Sequence, residues 1–92
     1  MDQSEKDAGA IAALMIRLTE YRIPRAKRLL KKVNGGDILS EGDIQFLKRV
    51  YEDGRGNQSL YQRHPKYSGL VASFTGLYVE IIAKGVENEK SR

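Results

Sequence analysis

The 92-residue chain contains no cysteine, no tryptophan and only one histidine. Without cysteine there can be no disulfide framework and no thiolate for catalysis or metal binding. His64 has no second histidine, cysteine or carboxylate at metal-ligand spacing, so we expect it to cap a helix or lie in a corner. These absences predict a protein that is not an enzyme and that has no metal, cofactor or catalytic residue.

Long hydrophobic runs are also missing near the start of the chain. The longest stretch there without a charge or strongly polar group is Ala8 to Ile16, well short of the roughly 20 residues that span a bilayer. Asp2, Glu5 and Asp7 stand where a secretory signal carries positive charge. We therefore expect no membrane insertion and no leader, and the absence of cysteine favours a cytoplasmic, bacterial protein.

The composition is that of one folded domain. A hydrophobic content of 40% is too high for disorder, while 30% charged residues and a mean hydropathy of −0.52 are too polar for a membrane protein. Ninety-two residues leave no room for a second core. We expect a single helical domain over residues 1–92, with the ends at residues 1–7 and 87–92 frayed.

No segment alternates apolar and polar residues as a strand would, whereas helical spacing recurs along the chain. The pattern predicts an all-α bundle of four main helices, with a short extra helix near residues 57–63. Pro24 predicts a kink or corner at Tyr21–Ile23, and Asn34-Gly35-Gly36 predicts a helix end. A capping box is expected at Ser4 with Asp7, and another at Ser40 with Asp43.

The apolar residues of each helix define its expected core face. In the first helix the stripe consists of Ile11, Leu14, Met15, Leu18 and Tyr21. In the third it consists of Ile44, Leu47, Val50 and Tyr51, with Phe46 at the margin, and Gly54 and Gly56 favour a break. The longest periodic pattern runs from Tyr67 to Val86, and it predicts a central helix with Phe74 and Leu77 fully buried.

The positive charge is concentrated in the second helix. Its cations, with no acid among them, are Arg22, Arg25, Lys27, Arg28, Lys31 and Lys32. Most of them lie opposite the apolar face, and both Arg28 and Lys32 are expected to point away from the core. Such a face favours sequence-independent binding of nucleic acid or another polyanion, although a solvated outer surface has the same pattern.

The last helix carries small residues on the face opposite its large apolar ones. They are Gly69, Ala72, Ser73, Gly76 and Ala83. Small side chains let a second helix approach closely, which would compensate for the low helix propensity of glycine. That second helix could belong to another copy, to a partner protein or to the same chain.

These patterns together indicate a non-enzymatic interaction module that docks on another protein or forms a homo-oligomer. The alternative is polyanion binding through the basic helix at residues 22–32. Membrane-surface association through the same helix is disfavoured, because its apolar face has no Trp or Phe and is expected to face the core. A compact monomer of this length would have a radius of gyration of roughly 12 Å.

Overall fold

A computed structural model describes the backbone of residues 3–91 and the side chains of residues 7–91. It contains the helices α1 (Gln3–Arg17), α2 (Ile23–Asn34), α3 (Glu41–Gly56), α4 (Gln58–Arg63) and α5 (Pro65–Lys90), with a π-helical turn at Leu18–Arg22. No strand occurs within residues 3–91. The predicted all-α fold with four main helices and a short extra one is confirmed.

Helical structure continues through Pro24, where the sequence predicts a kink or corner. A proline lacks the N–H of a regular helix, and its ring collides with the carbonyl one turn earlier. In the π-helical turn the Ile23 N–H donates to the Leu18 carbonyl, five residues back. The wider turn accommodates Pro24 at the start of α2. The chain therefore turns no corner there, and α1 and α2 form one long rod.

The helices form an up-down-up bundle of three rods. Asp7 near the start of α1 meets Arg63 at the end of α4, and Val33 at the end of α2 meets Asn88 near the end of α5. The rod α1–α2 and helix α5 therefore run parallel, with α3 and α4 antiparallel to both. The molecule measures 55 × 20 × 20 Å, and its Cα radius of gyration is 15.0 Å, above the 12 Å expected for a compact chain.

The core lies where α2, α3 and α5 meet. Its buried residues are Ala26, Leu29, Phe46, Leu47, Val50, Phe74 and Ile81. Phe74 is buried as predicted, but Leu77 is only half-buried. The predicted stripe of α1 is wrong at Tyr21, which is exposed.

The buried face of α3 is also rotated from the predicted one. Phe46 is buried, whereas Ile44 and Tyr51 are exposed. Asp43 and Asp53 share a helical face with Phe46, and they pair with Lys32 of α2 and with Arg22 just before it. These ion pairs favour the observed rotation of α3.

The helix ends follow the predictions at some positions and depart from them at others. The capping box at Ser40 and Asp43 is confirmed, and α2 ends as predicted, with Gly36 at a φ of 98°. The first capping box is wrong, because α1 begins at Gln3 and Ser4 is already helical. The predicted break at residues 54–57 is confined to Asn57, since α3 continues through Gly56.

The predicted fraying at the ends is wrong within the described residues. Helix α5 extends to Lys90, and Asn88 is buried. The Asn88 amide donates hydrogen bonds to the carbonyls of Val33 at 2.8 Å and Asp37 at 2.7 Å. The Val33 carbonyl also accepts a hydrogen bond from the Gly36 N–H at 3.0 Å, so Asn88 shares this carbonyl and ties α5 to the end of α2. At the other end α1 is helical from Gln3; residues 1, 2 and 92 lie outside the described residues.

Candidate interaction surfaces

Half of the predicted basic residues stabilise the packing of α2 on α3. Arg22 pairs with Asp53, and the Lys32 ammonium lies 2.7 Å from a carboxylate oxygen of Asp43. The Arg25 guanidinium carbon lies 4.2 Å from the centroid of the Phe46 ring, a cation–π contact. These three cations are therefore engaged within the fold.

The pairing of Lys32 is reflected in the acidity of its partner. Partial burial raises the pKa of the Asp43 carboxyl, but hydrogen bonds from Lys32 and from Ser40, together with the Lys32 charge, outweigh that effect. The net result is a pKa below the ordinary value of 3.8. Lys32 is half-buried and paired with Asp43, so it is not a free cation of the predicted basic face.

The remaining three cations, Lys27, Arg28 and Lys31, are exposed. Among the described residues no carboxylate forms a salt bridge with any of them. Two of them, Lys27 and Lys31, border a shallow, open depression of about 550 Å³ at the end of α2. The predicted six-residue basic face is thus reduced to a compact patch of three.

The small residues predicted as a packing face all lie on the surface of the chain. Gly69, Ala72, Ser73, Gly76 and Ala83 are exposed. A β-carbon added at Gly69 or Gly76 would meet no atom within 4 Å. Packing against another helix of the same chain is therefore excluded for the described residues.

Four of these residues belong to a longer apolar row, which we call the outer seam. The outer seam consists of Gly69, Ala72, Gly76, Val79, Ala83 and Val86, all exposed. They are separated by alternating steps of three and four residues, the spacing of a helix-packing seam. Val79 and Val86 are 59% and 45% exposed, so Val86 lies outside the core, although the helical spacing from Tyr67 to Val86 predicted it there. The three-four spacing is the signal that identifies the row.

The opposite face of α5 packs in the core. Phe74, Ile81 and Asn88, which recur every seven residues, are buried. Helix α5 also has the length and composition of a membrane span, with a mean hydropathy of 1.3 over 18 residues, yet only 17% of that window is buried in the fold. Most residues of that window are therefore exposed or half-buried in the fold.

Beside the outer seam lies an apolar groove of about 740 Å³, which the sequence did not predict. Leu14 and Leu18 line it on one side, and Val71 and Phe74 of α5 on the other. Tyr51 closes part of it by stacking on Tyr78, with ring centroids 6.0 Å apart. The groove exists because Tyr51 lies at the edge of the bundle and does not fill the core.

Polar groups at one end of the groove include Arg22, Arg55 and Tyr61. Burial raises the pKa of the Tyr61 phenol, and the nearby Asp53 charge raises it further against the opposing charge of Arg22. A phenol with a raised pKa stays protonated at neutral pH.

A second polar cluster joins the start of α1 to the end of α4. The buried Asp7 carboxylate accepts hydrogen bonds from Arg63 Nε at 3.0 Å and Nη2 at 3.2 Å, and lies 3.0 Å from His64 Nε2. The hydrogen bonds that Arg63 donates to Asp7 raise the pKa of Arg63. His64 lies in the α4–α5 corner, as expected, and its role there is to hold α1 in place.

The described residues contain no cluster of three or more side chains able to hold a metal ion. The cluster at Asp7 pairs residues 56 and 57 positions apart, so no local pattern in the sequence could reveal it. The candidate interaction surfaces are therefore the outer seam with its groove and the three exposed cations Lys27, Arg28 and Lys31.

Comparison with family models, with curated proteins and with solved structures found no significant match to this chain.

Proposed function

We propose that the protein is a non-enzymatic interaction module that docks through the outer seam of α5. The observation that carries this proposal is the exposed, uncharged row from Gly69 to Val86 on the central helix of the bundle. The row runs over 18 residues, and the 17 steps from Gly69 to Val86 measure about 26 Å of helix. Contiguous apolar surface of this kind commonly marks an interaction site.

The side chains of the seam favour a helix as the docked element. Glycine and alanine allow the backbone of a second helix to approach closely, and their regular three-four spacing continues along the whole face. Gly69 and Gly76 also lower the helix propensity of α5 by about 1 kcal/mol each relative to alanine. A close helix contact at these positions would offset that cost.

Lipid is a poorer match to the same face. Val79 and Val86 are the only large apolar side chains of the seam, so inserting it into a bilayer would bury little hydrophobic surface. The other face of α5 is occupied by the core. A full membrane span would require α5 to leave the bundle.

A photo-activatable amino acid in place of Val79 tests the proposal in the cells from which the protein derives. The matched control places the same amino acid at Glu52, which is exposed on α3. We expect a covalent protein adduct from position 79 and none from position 52. Absence of any protein adduct at position 79 would contradict docking through the outer seam.

The patch of Lys27, Arg28 and Lys31 supports a second candidate function, the binding of a polyanion. Three neighbouring cations without an acidic partner among the described residues create a local positive potential that attracts phosphates. Contacts to phosphate do not distinguish sequences. Nucleic-acid binding through this patch would be weak, with a Kd of about 10⁻⁴–10⁻⁶ M at physiological salt.

Fluorescence anisotropy of labelled DNA and RNA across a salt series tests this second function. The variant to use is Arg28→Glu with Lys31→Glu, because reversing Lys32 would also break its pair with Asp43. The matched control, Lys48→Glu with Arg49→Glu, makes the same charge change on exposed positions of α3. We expect the first variant alone to lose binding. Equal loss in both would assign binding to net charge and not to the patch.

A further inference from the structure

The element that docks on the outer seam can be identified from the seam itself, and the inference rests on the proposed function. We propose that it is the outer seam of a second copy of this chain, packed antiparallel in a two-fold symmetric dimer. In such a dimer the same surface patch occurs on both sides, so the patch must be complementary to its own rotated copy. The outer seam meets this condition in shape and in charge.

Shape complementarity comes from the order of small and larger residues along the seam. In one antiparallel register, Gly69 faces Val86 of the second copy, Ala72 faces Ala83, and Gly76 faces Val79. Each valine then enters the space left by a glycine of the other copy, and between these two pairs Ala72 packs on Ala83. A β-carbon at Gly69 or Gly76 would meet nothing within 4 Å in the single chain, so this space is open.

A parallel arrangement lacks this complementarity. Each residue would then face its own equivalent, so Val79 would lie on Val79 and Gly76 on Gly76. The valines would hold the helices apart while the glycines left voids, and voids forfeit packing energy. The order of side-chain sizes therefore selects the antiparallel direction.

Charge along one edge of the seam selects the same direction and register. Lys66, Ser73, Glu80 and Glu87 follow one another at seven-residue intervals, and all four are exposed. In the antiparallel register Lys66 faces Glu87 of the second copy and Ser73 faces Glu80. In a parallel two-fold pair this edge would instead lie against the other edge of the partner's seam, at Ser68, Thr75 and Ile82, which carry no charge to pair with Lys66 or Glu87. Glu87 also lies 3.5 Å from Lys84 of its own helix, but at 67% side-chain exposure it remains accessible to a second cation.

Dimerisation through the seam leaves the core of each chain undisturbed. The buried Phe74 and Ile81 lie on the opposite side of α5, so one helix serves both the bundle and the dimer. The contact is confined to about 26 Å of helix, which places it among the smaller protein interfaces. We therefore expect a concentration-dependent equilibrium between monomer and dimer.

Cysteine cross-linking of the purified protein tests the register, because the natural chain has no cysteine. Ala72→Cys and Ala83→Cys are made separately, one carrying a mass tag, and are mixed and oxidised. We expect the mixed disulfide to exceed either self-disulfide at least tenfold, since residues 72 and 83 face each other only between antiparallel copies. A predominance of self-disulfides would overturn the antiparallel arrangement.

Charge reversal provides a second test, measured by sedimentation equilibrium. Lys66→Glu and Glu87→Lys should each raise the dimer Kd about tenfold, because each creates two like-charge pairs in the symmetric dimer, and a tenfold change corresponds to about 1.4 kcal/mol. The double variant should restore the original Kd. The exposed α3 pair Lys48→Glu with Glu52→Lys serves as the control and should leave it unchanged. Failure of the double variant to restore association would overturn the register.

The outcomes separate this inference from the proposed function. A purified protein that remains monomeric at every concentration overturns the homodimer, whatever the cellular result. An adduct of position 79 with a different protein would then retain docking through the seam while assigning it to another partner. If position 79 forms no protein adduct and the purified protein is monomeric, both proposals are wrong.

Discussion

The two halves of the long first rod differ in how firmly they belong to the bundle. The α2 half buries Ala26 and Val33 completely and adds three contacts between its cations and α3. The α1 half buries Ile11 and Asp7, while Ile16 is exposed. The apolar groove opens beside this weaker half. Apolar spacing alone makes a helix amphipathic, but its ion pairs and cation–π contacts with neighbouring helices decide how closely it packs.

The largest expected effect is the difference in stability lost when one leucine is truncated in each half of the rod. Leu29→Ala removes a buried side chain of α2 and should lower the free energy of unfolding by about 2–5 kcal/mol. Leu14→Ala, at a half-buried position lining the groove, should cost about 1 kcal/mol. Chemical denaturation monitored by circular dichroism measures both. Equal losses would show that α1 packs as tightly as α2.

The attachment of α1 can be weakened without touching an apolar residue. Asp7→Asn removes the charge that holds Arg63 and His64, so the start of α1 should open more often. We expect faster amide hydrogen exchange across residues 8–17 and unchanged exchange across α2. Glu52→Gln, which neutralises an exposed acid, is the control. Uniformly faster exchange throughout the chain would mean that Asp7 supports the whole fold and not one end.

The capping box at the start of α3 should contribute to the free energy of unfolding in a pH-dependent manner. Ser40→Ala should cost about 1 kcal/mol at neutral pH. The pKa of Asp43 is lower in the folded protein than its ordinary value of 3.8, so its contribution is present above that pH and is lost as pH falls through the folded-state pKa. The stability difference between wild type and Asp43→Asn should therefore vanish in acid. A difference that persists at low pH would show that the carboxylate charge is not its source.

The smallest expected effect is the difference in stability gained when alanine replaces each of two glycines of α5. A β-carbon at Gly85 would come within 3.0 Å of Leu39, whereas one at Gly76 meets nothing within 4 Å. Gly76→Ala should stabilise the monomer by about 1 kcal/mol through helix propensity. Gly85→Ala should gain less, because Leu39 must move. Thermal unfolding at low protein concentration measures both, and a larger gain at Gly85 would contradict the close packing there.

The structural features that the sequence predicted correctly are those that depend on local patterns. Helical spacing identified the all-α fold and the exposed small residues of α5, and local turn chemistry identified the Ser40 capping box and the helix end at Gly36. These features involve residues within a few positions of each other. These features can therefore be predicted without knowledge of the tertiary structure.

The features that the sequence did not predict depend on distant partners. Asp7 is buried because Arg63 neutralises it, and Asn88 is buried because it meets the end of α2. The facing of α3 follows from ion pairs and not from its apolar residues alone. At Pro24 the corner that the sequence allowed is absent because a π-helical turn accommodates the proline.

Sedimentation equilibrium of the purified wild-type protein, with small-angle scattering on the same samples, tests the antiparallel dimer most directly. We predict a mass that rises from 10.4 kDa towards twice that value with concentration, and a radius of gyration that rises above the 15.0 Å of the single chain. Gly76→Arg, which places a long charged side chain in the seam, should remain monomeric. A wild-type protein that keeps the monomer mass and radius at every concentration would contradict the dimer.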